Sequence, residues 1–120
     1  MEAEQGDLLR LTEATALRLR VNRLHETVAD HAAGRARAFA DPTRVLIATV
    51  LREVNEICVG DLAWVIEKPH ALVSHHVRTL RAQGLVASRR EGKLVLYWLT
   101  PAGSTVLEGV LLEGRAKRAR

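Results

Sequence analysis

Two amphipathic segments separated only by Lys68-Pro69 constrain this chain more than any other feature of it. From about Gly60 to Glu67, Leu62 and Ile66 turn inward. After the break, Val73, Val77 and Leu80 recur at core spacing until Gly84 stops the pattern. Two short helices joined so tightly make a helix-turn-helix. Leu85–Arg90 and Lys93–Leu99 follow, rich in strand-forming residues and separated by Glu91-Gly92, which reads as a hairpin turn. A hairpin directly after the second helix is a wing. Thr100-Pro101 caps a last helix with Val106, Leu107, Val110 and Leu111 on one side.

Upstream, Asp41-Pro42 starts a helix that buries Leu46, Ile47, Val50 and Leu51, and Asn55-Glu56 ends it. From about Thr12 to Ala40 the pattern is helical, with Gly34 as the point where it kinks or divides. Leu17, Val21, Leu24 and Val28 recur there at intervals of four, three and four residues, a stripe on one helix face. The expected fold is mainly α with a small β-hairpin, a dimeric winged helix-turn-helix.

A length of 120 residues supports one domain. It divides into an N-terminal arm (1–11), the winged domain with its N- and C-terminal dimerisation helices (12–114) and a basic tail (115–120). Hydrophobic residues at 48% exclude a disordered chain. The most apolar run, Val45 to Leu51, is too short to cross a bilayer. No basic segment precedes an apolar stretch at the N-terminus, so a cytoplasmic location is expected. The single cysteine, Cys58, rules out an internal disulfide framework and a zinc ribbon.

The net charge of +4 favours a polyanionic partner only mildly, and the placement of the charge matters more. With Val73, Val77 and Leu80 inward, the opposite face of that helix offers His70, Ala71, Ser74, His75 and Arg78. A helix entering the major groove reads bases with its N-terminal residues and holds phosphates with its flanks. Arg89, Arg90 and Lys93 stand around the hairpin tip, within reach of a sugar-phosphate backbone. Taken alone, the helix could be a solvated amphipathic face and the tip a soluble turn. Together they point to duplex DNA. Aromatic residues at 3% argue against a single-strand binder built on stacking. An enzyme is not expected: Ser74 and His75 diverge on a helix, and neither a phosphate loop nor a paired-carboxylate motif is present.

Several segments carry a resemblance. They are Ala40-Asp41-Pro42-Thr43-Arg44, Ile57-Cys58-Val59-Gly60-Asp61-Leu62-Ala63, Leu72 through Leu80 with its Ser74-His75-His76, and Gly84 through Tyr97. In order and spacing they resemble the ArsR/SmtB group of metal-responsive repressors, from about Ala38 to Leu99. The resemblance implies a winged-helix homodimer that represses a palindromic operator and releases it when an effector binds.

Its nearest look is to the cadmium-, lead- and zinc-sensing branch, whose cysteine motif opens the first helix of the helix-turn-helix. Cys58 and Asp61 match that motif and suit a zinc- or cadmium-like ion, with nickel or cobalt behind them. His25 and His31 of a partner subunit, with Asp7 further out, would complete the set. Position 60 is Gly, the arm around Gly6-Asp7-Leu8-Leu9-Arg10 lacks cysteine, and Pro101 to Arg120 lacks His and Asp. A degenerate member that senses no metal, answering to a thiol-redox or other effector or to none, is therefore an equal expectation, as is Cys58 acting as a small buried hydrophobe. A winged helix that binds proteins instead of DNA is the remaining alternative. The Leu17–Val28 stripe, together with Val106, Val110 and Leu111, is the expected dimer surface.

Overall fold

The structure, a computed structural model, describes residues 8–112. The chain divides into two compact units, one ending at His31 and the other beginning at Ala32.

In the first unit, α1 (Glu13–Asn22) starts where Thr12 accepts a hydrogen bond from the Thr15 amide (3.2 Å), with Glu13 in the positive first turn. It ends at Arg23, whose backbone is extended. α2 (Glu26–Ala38) then starts afresh, with His25 Nδ1 accepting from the Thr27 amide (3.2 Å). The expected single rod with a break at Gly34 is corrected here. The break falls at residues 23–25, where His25 satisfies an orphan amide of the new helix. Gly34 instead lies inside α2 and is buried, and a Cβ there would stand 2.9 Å from the end of the Gln83 side chain.

The second unit holds the core. α3 (Pro42–Arg52) has the anticipated start: Asp41 Oδ1 accepts from the Arg44 amide (3.1 Å) and Pro42 fills the first turn. Its Ile47, Ala48 and Leu51 are sealed from solvent, whereas Leu46 is exposed. β1 (Ile57–Cys58) leads straight into α4 (Val59–Ile66), and α5 (His70–Ala82) follows across Glu67–Pro69. Glu67 ends α4 in the left-handed region (φ 58°), a conformation that favours glycine. Gly84 (φ 74°) supplies the same geometry after α5 with a residue suited to it.

β2 (Val86–Glu91) and β3 (Leu94–Leu99) form an antiparallel hairpin in the register Val86↔Leu99 to Glu91↔Leu94, with Gly92 (φ 61°) in its two-residue turn. β1 adds to the other edge of β3, Ile57 opposite Tyr97, so the sheet order is β1-β3-β2. A two-residue strand leaves no alternation in the sequence, which is why Asn55-Glu56 reads only as a break. α6 (Pro101–Leu111) is capped by Thr100, whose Oγ1 accepts from the Gly103 amide (3.0 Å) and donates to the Gly84 carbonyl (2.7 Å). Leu62, Val73, Val77, Leu80, Leu85 and Leu107 meet in the middle, all at 0% exposure. That burial removes each of these side chains from water, worth roughly 1.5–3 kcal/mol apiece before entropy. No helix among the described residues is long and apolar enough to cross a membrane.

Candidate nucleic-acid interface

The faces of α5 divide as its sequence predicts. Val73, Val77 and Leu80 lie in the core, while His70, Ala71, His75 and Arg78 are exposed and Ser74 is half-buried. Arg78 Nη1 donates to Ser74 Oγ one turn earlier (2.9 Å), which steadies both on the outer face. Among the described residues Ser74 has this arginine as its hydrogen-bond partner and not the neighbouring His75, so the two do not form a nucleophile–base pair. Arg81 Nη1 donates to Ser88 Oγ (3.0 Å) and fastens the end of α5 to β2.

On the hairpin, Arg89, Arg90 and Lys93 are all exposed, as expected, but they are not equivalent. Arg89 donates to both carboxylate oxygens of Glu56 (2.6 and 2.9 Å) and to Glu91 Oε1 (3.0 Å). The hydrogen bond from Arg89 holds the Glu56 carboxyl below its ordinary range, and the same bond raises the Arg89 pKa. Its charge is balanced within the protein. Arg90 and Lys93 have no acidic partner among the described residues and are open to an anion.

A polar cluster lies beneath this surface, and the sequence reading did not connect its members. His76, though polar, is buried (8% exposed). Its Nδ1 accepts from Arg44 Nη1 (2.9 Å), and its Nε2 faces Asp41 Oδ1 at 4.0 Å. Arg44 Nε also donates to the Ala38 carbonyl (2.6 Å) at the end of α2. Burial lowers the His76 pKa, the Arg44 and His75 charges lower it further, and Asp41 opposes them. Both halves of the cluster stand in the segments that carry the family resemblance, 32 residues apart, and only the fold brings them together.

The proposed metal donors are less concentrated. Cys58 is half-buried at the N-cap position of α4, where it makes no side-chain capping bond, and Asp61 is exposed in the first turn of that helix. His25 caps α2 with Nδ1, and His31 is exposed further along it. Asp7, Glu113 and the basic tail fall outside the described residues. No group of three His, Cys, Asp or Glu side chains comes together among the described residues. Cys58 and Asp61 amount to two donors where a tetrahedral site takes four, so they do not by themselves fit a zinc or cadmium ion.

The model of the bacterial regulatory protein arsR family matches residues 41–88, from the cap of α3 into β2. The chain is 49% identical over 63 residues to a cadmium resistance transcriptional regulatory protein homolog of Staphylococcus aureus, covering 52% of each chain. It thus spans about half the length of that relative. It is 36% identical over 63 residues to an uncharacterized HTH-type transcriptional regulator of Methanocaldococcus jannaschii, covering 52% of this chain and 71% of that one. Its fold is like that of a homodimeric winged helix-turn-helix DNA-binding domain from Mycobacterium bovis. That match has a TM-score of 0.67 at 20% identity and covers 90% of this chain and 91% of that one. The order of elements, the exposed face of α5 behind its sealed core side and these likenesses agree: the chain is a winged helix-turn-helix protein of the arsR family of bacterial regulatory proteins.

Proposed function

We propose that this chain is a transcriptional repressor that reads duplex DNA with the outer face of α5 and grips the flanking backbone with its β2–β3 wing. The observation that carries this reading is the division of α5. Its inner side is locked in the core while His70, Ala71, His75 and Arg78 stand out, with Ser74 half-buried among them, on the N-terminal two-thirds of the helix. Such a helix presents short polar groups and one guanidinium to base edges at the depth of a major groove. Arg90 and Lys93 are the wing cations free to meet phosphate, and Arg89 contributes only what Glu56 and Glu91 leave of its charge.

The working form in this reading is a homodimer on a palindromic operator. Leu17, Val21, Leu24 and Val28 of the first unit are 49–78% exposed, and Val110 of α6 is 45% exposed, apolar surface that a second copy would cover. The relatives, being named as regulators of transcription, support the regulatory role, and the homodimeric Mycobacterium bovis domain supports the pairing. The test is selection of duplexes from a random-sequence pool by the purified chain, followed by titration in rising salt. An inverted repeat bound with a steep negative salt dependence is the expected outcome. Equal affinity for every duplex overturns the reading.

A further inference from the structure

We propose that Arg44, which lies beneath the DNA-facing surface and outside it, is a positioning residue that sets the aim of α5 by gripping His76. This rests on the DNA-reading role of α5 and adds to it the part that fixes the helix in rotation. Apart from the solvent-exposed Arg81–Ser88 bond at its C-terminal end, α5 is held by apolar core contacts through Val73, Val77 and Leu80, and such contacts are non-directional. The Arg44 Nη1 to His76 Nδ1 bond (2.9 Å) is directional, and His76 is buried, so water competes poorly for it. Arg44 is itself held twice: its amide is bound by Asp41 Oδ1 (3.1 Å), and its Nε donates to the Ala38 carbonyl (2.6 Å). A planar guanidinium engaged at both edges leaves little freedom for the group it holds. The His76 ring in turn lies against the His75 ring, with centroids 5.3 Å apart and planes tilted by 59°. A fixed line therefore runs from the end of α2 through Arg44 and His76 to an exposed residue on the reading face.

The same geometry fixes a proton state. Arginine only donates, so Nδ1 of His76 must accept, and the ring's proton sits on Nε2, towards Asp41. A second proton on Nδ1 would set two donors against each other. The charged groups acting on His76 are Asp41 at the cap of α3, Arg44 within α3 and His75 from its own helix; the other charged residue of α3 is Arg52. The other elements packed against α5, α4 and β2, carry Asp61 and Arg89, Arg90 and Glu91, all exposed.

The experiment uses a duplex selected by the wild-type chain from a random pool, and a scrambled duplex of equal length, at about pH 8 and about pH 5.5. The readout is the ratio of the two affinities. Arg44→Gln is expected to lower that ratio by about tenfold while leaving scrambled-duplex affinity and its salt slope in place. Should Arg44→Gln not fold, His76→Leu and His76→Asn carry the test. Leu removes the acceptor and lowers the ratio, whereas Asn places a carbonyl oxygen near the position of Nδ1 and restores it. Once the pH passes the lowered His76 value, the wild-type ratio falls and that of His76→Asn does not. His70 and His75 are present in both proteins, and so cancel from the comparison. An unchanged ratio in Arg44→Gln, or equal ratios for His76→Leu and His76→Asn at both pH values, overturns the positioning role. A wild-type chain that selects no duplex overturns instead the DNA reading on which it rests.

Discussion

Glu56 and Arg89 meet in a two-pronged ion pair, 2.6 and 2.9 Å, although they flank opposite sides of the central strand β3. The pair ties the segment before β1 to the wing strand β2, and it leaves one of three wing cations already neutralised. Basic residues near a hairpin tip are thus not interchangeable, and in the DNA-binding role proposed above their contributions are expected to separate in salt.

Arg90→Ala and Lys93→Ala are each expected to reduce the slope of log affinity against log salt by roughly one. Glu56→Gln is expected to do the reverse: it leaves Arg89 balanced by Glu91 alone, steepens the slope and tightens binding at low salt. Fluorescence-anisotropy titrations at four or so salt concentrations measure all three. An identical slope in Glu56→Gln and wild type would mean that Arg89 stays balanced without its partner.

Acid is expected to destabilise the fold through His76. Burial holds its folded pKa below the ordinary 6.5, so the unfolded chain takes up the proton first as pH falls. Stability is unaffected by this group well above pH 6.5, declines as pH drops below 6.5, and levels off once the folded value is passed. Asp41 extends the decline to lower pH. Burial works to raise its pKa, but the Arg44 amide and the charges of His76 and Arg44 bring it below 3.8. Urea midpoints for wild type and His76→Asn at about pH 7.5 and about pH 5.5 check this, the variant being the less pH-sensitive.

The turn between α4 and α5 carries a removable strain. Glu67 is exposed and sits at φ 58°, ψ 49°. Glu67→Gly is expected to raise stability by roughly 0.5–1 kcal/mol, the relief of the left-handed conformation exceeding the entropy that glycine adds to the unfolded chain. The urea midpoint should rise at constant m-value, and a fall would mean that the Glu67 side chain has a stabilising role its geometry does not reveal.

Two glycines of α6 should respond in opposite senses. A Cβ on Gly103 would stand 2.1 Å from the Leu85 carbonyl oxygen, too close for anything but displacement of the helix. Gly103→Ala is expected to cost about 3 kcal/mol. Gly109 has nothing within 4 Å of such a Cβ, and Gly109→Ala is expected to gain roughly 0.5–1 kcal/mol from helix propensity. Thermal unfolding of the two variants side by side is sufficient.

What could be read from the sequence was local. α3 announced itself through Asp41-Pro42, and α5 through Val73, Val77 and Leu80. The hairpin was marked by Gly92 between strand-forming runs, because caps, helical periods and turn residues act over a few positions. The exposed set on α5 followed directly from its core set. The start of α2 escaped because the break lacks glycine or proline and depends on His25 as an unusual cap. Glu67 likewise occupies a glycine conformation without being glycine. The pairings of Arg44 with His76 and of Glu56 with Arg89 link positions more than thirty residues apart, and no periodicity encodes them.

Thr100 grasps the elbow between α5 and the wing twice: its hydroxyl donates to the Gly84 carbonyl and its amide to the Leu85 carbonyl (3.1 Å). Gly103, one turn on, rests against that same Leu85 carbonyl. The base of the last helix is therefore welded to the one joint shared by probe and finger. In the DNA-reading role proposed above, a displacement of that helix is expected to shift the reading helix and the wing together.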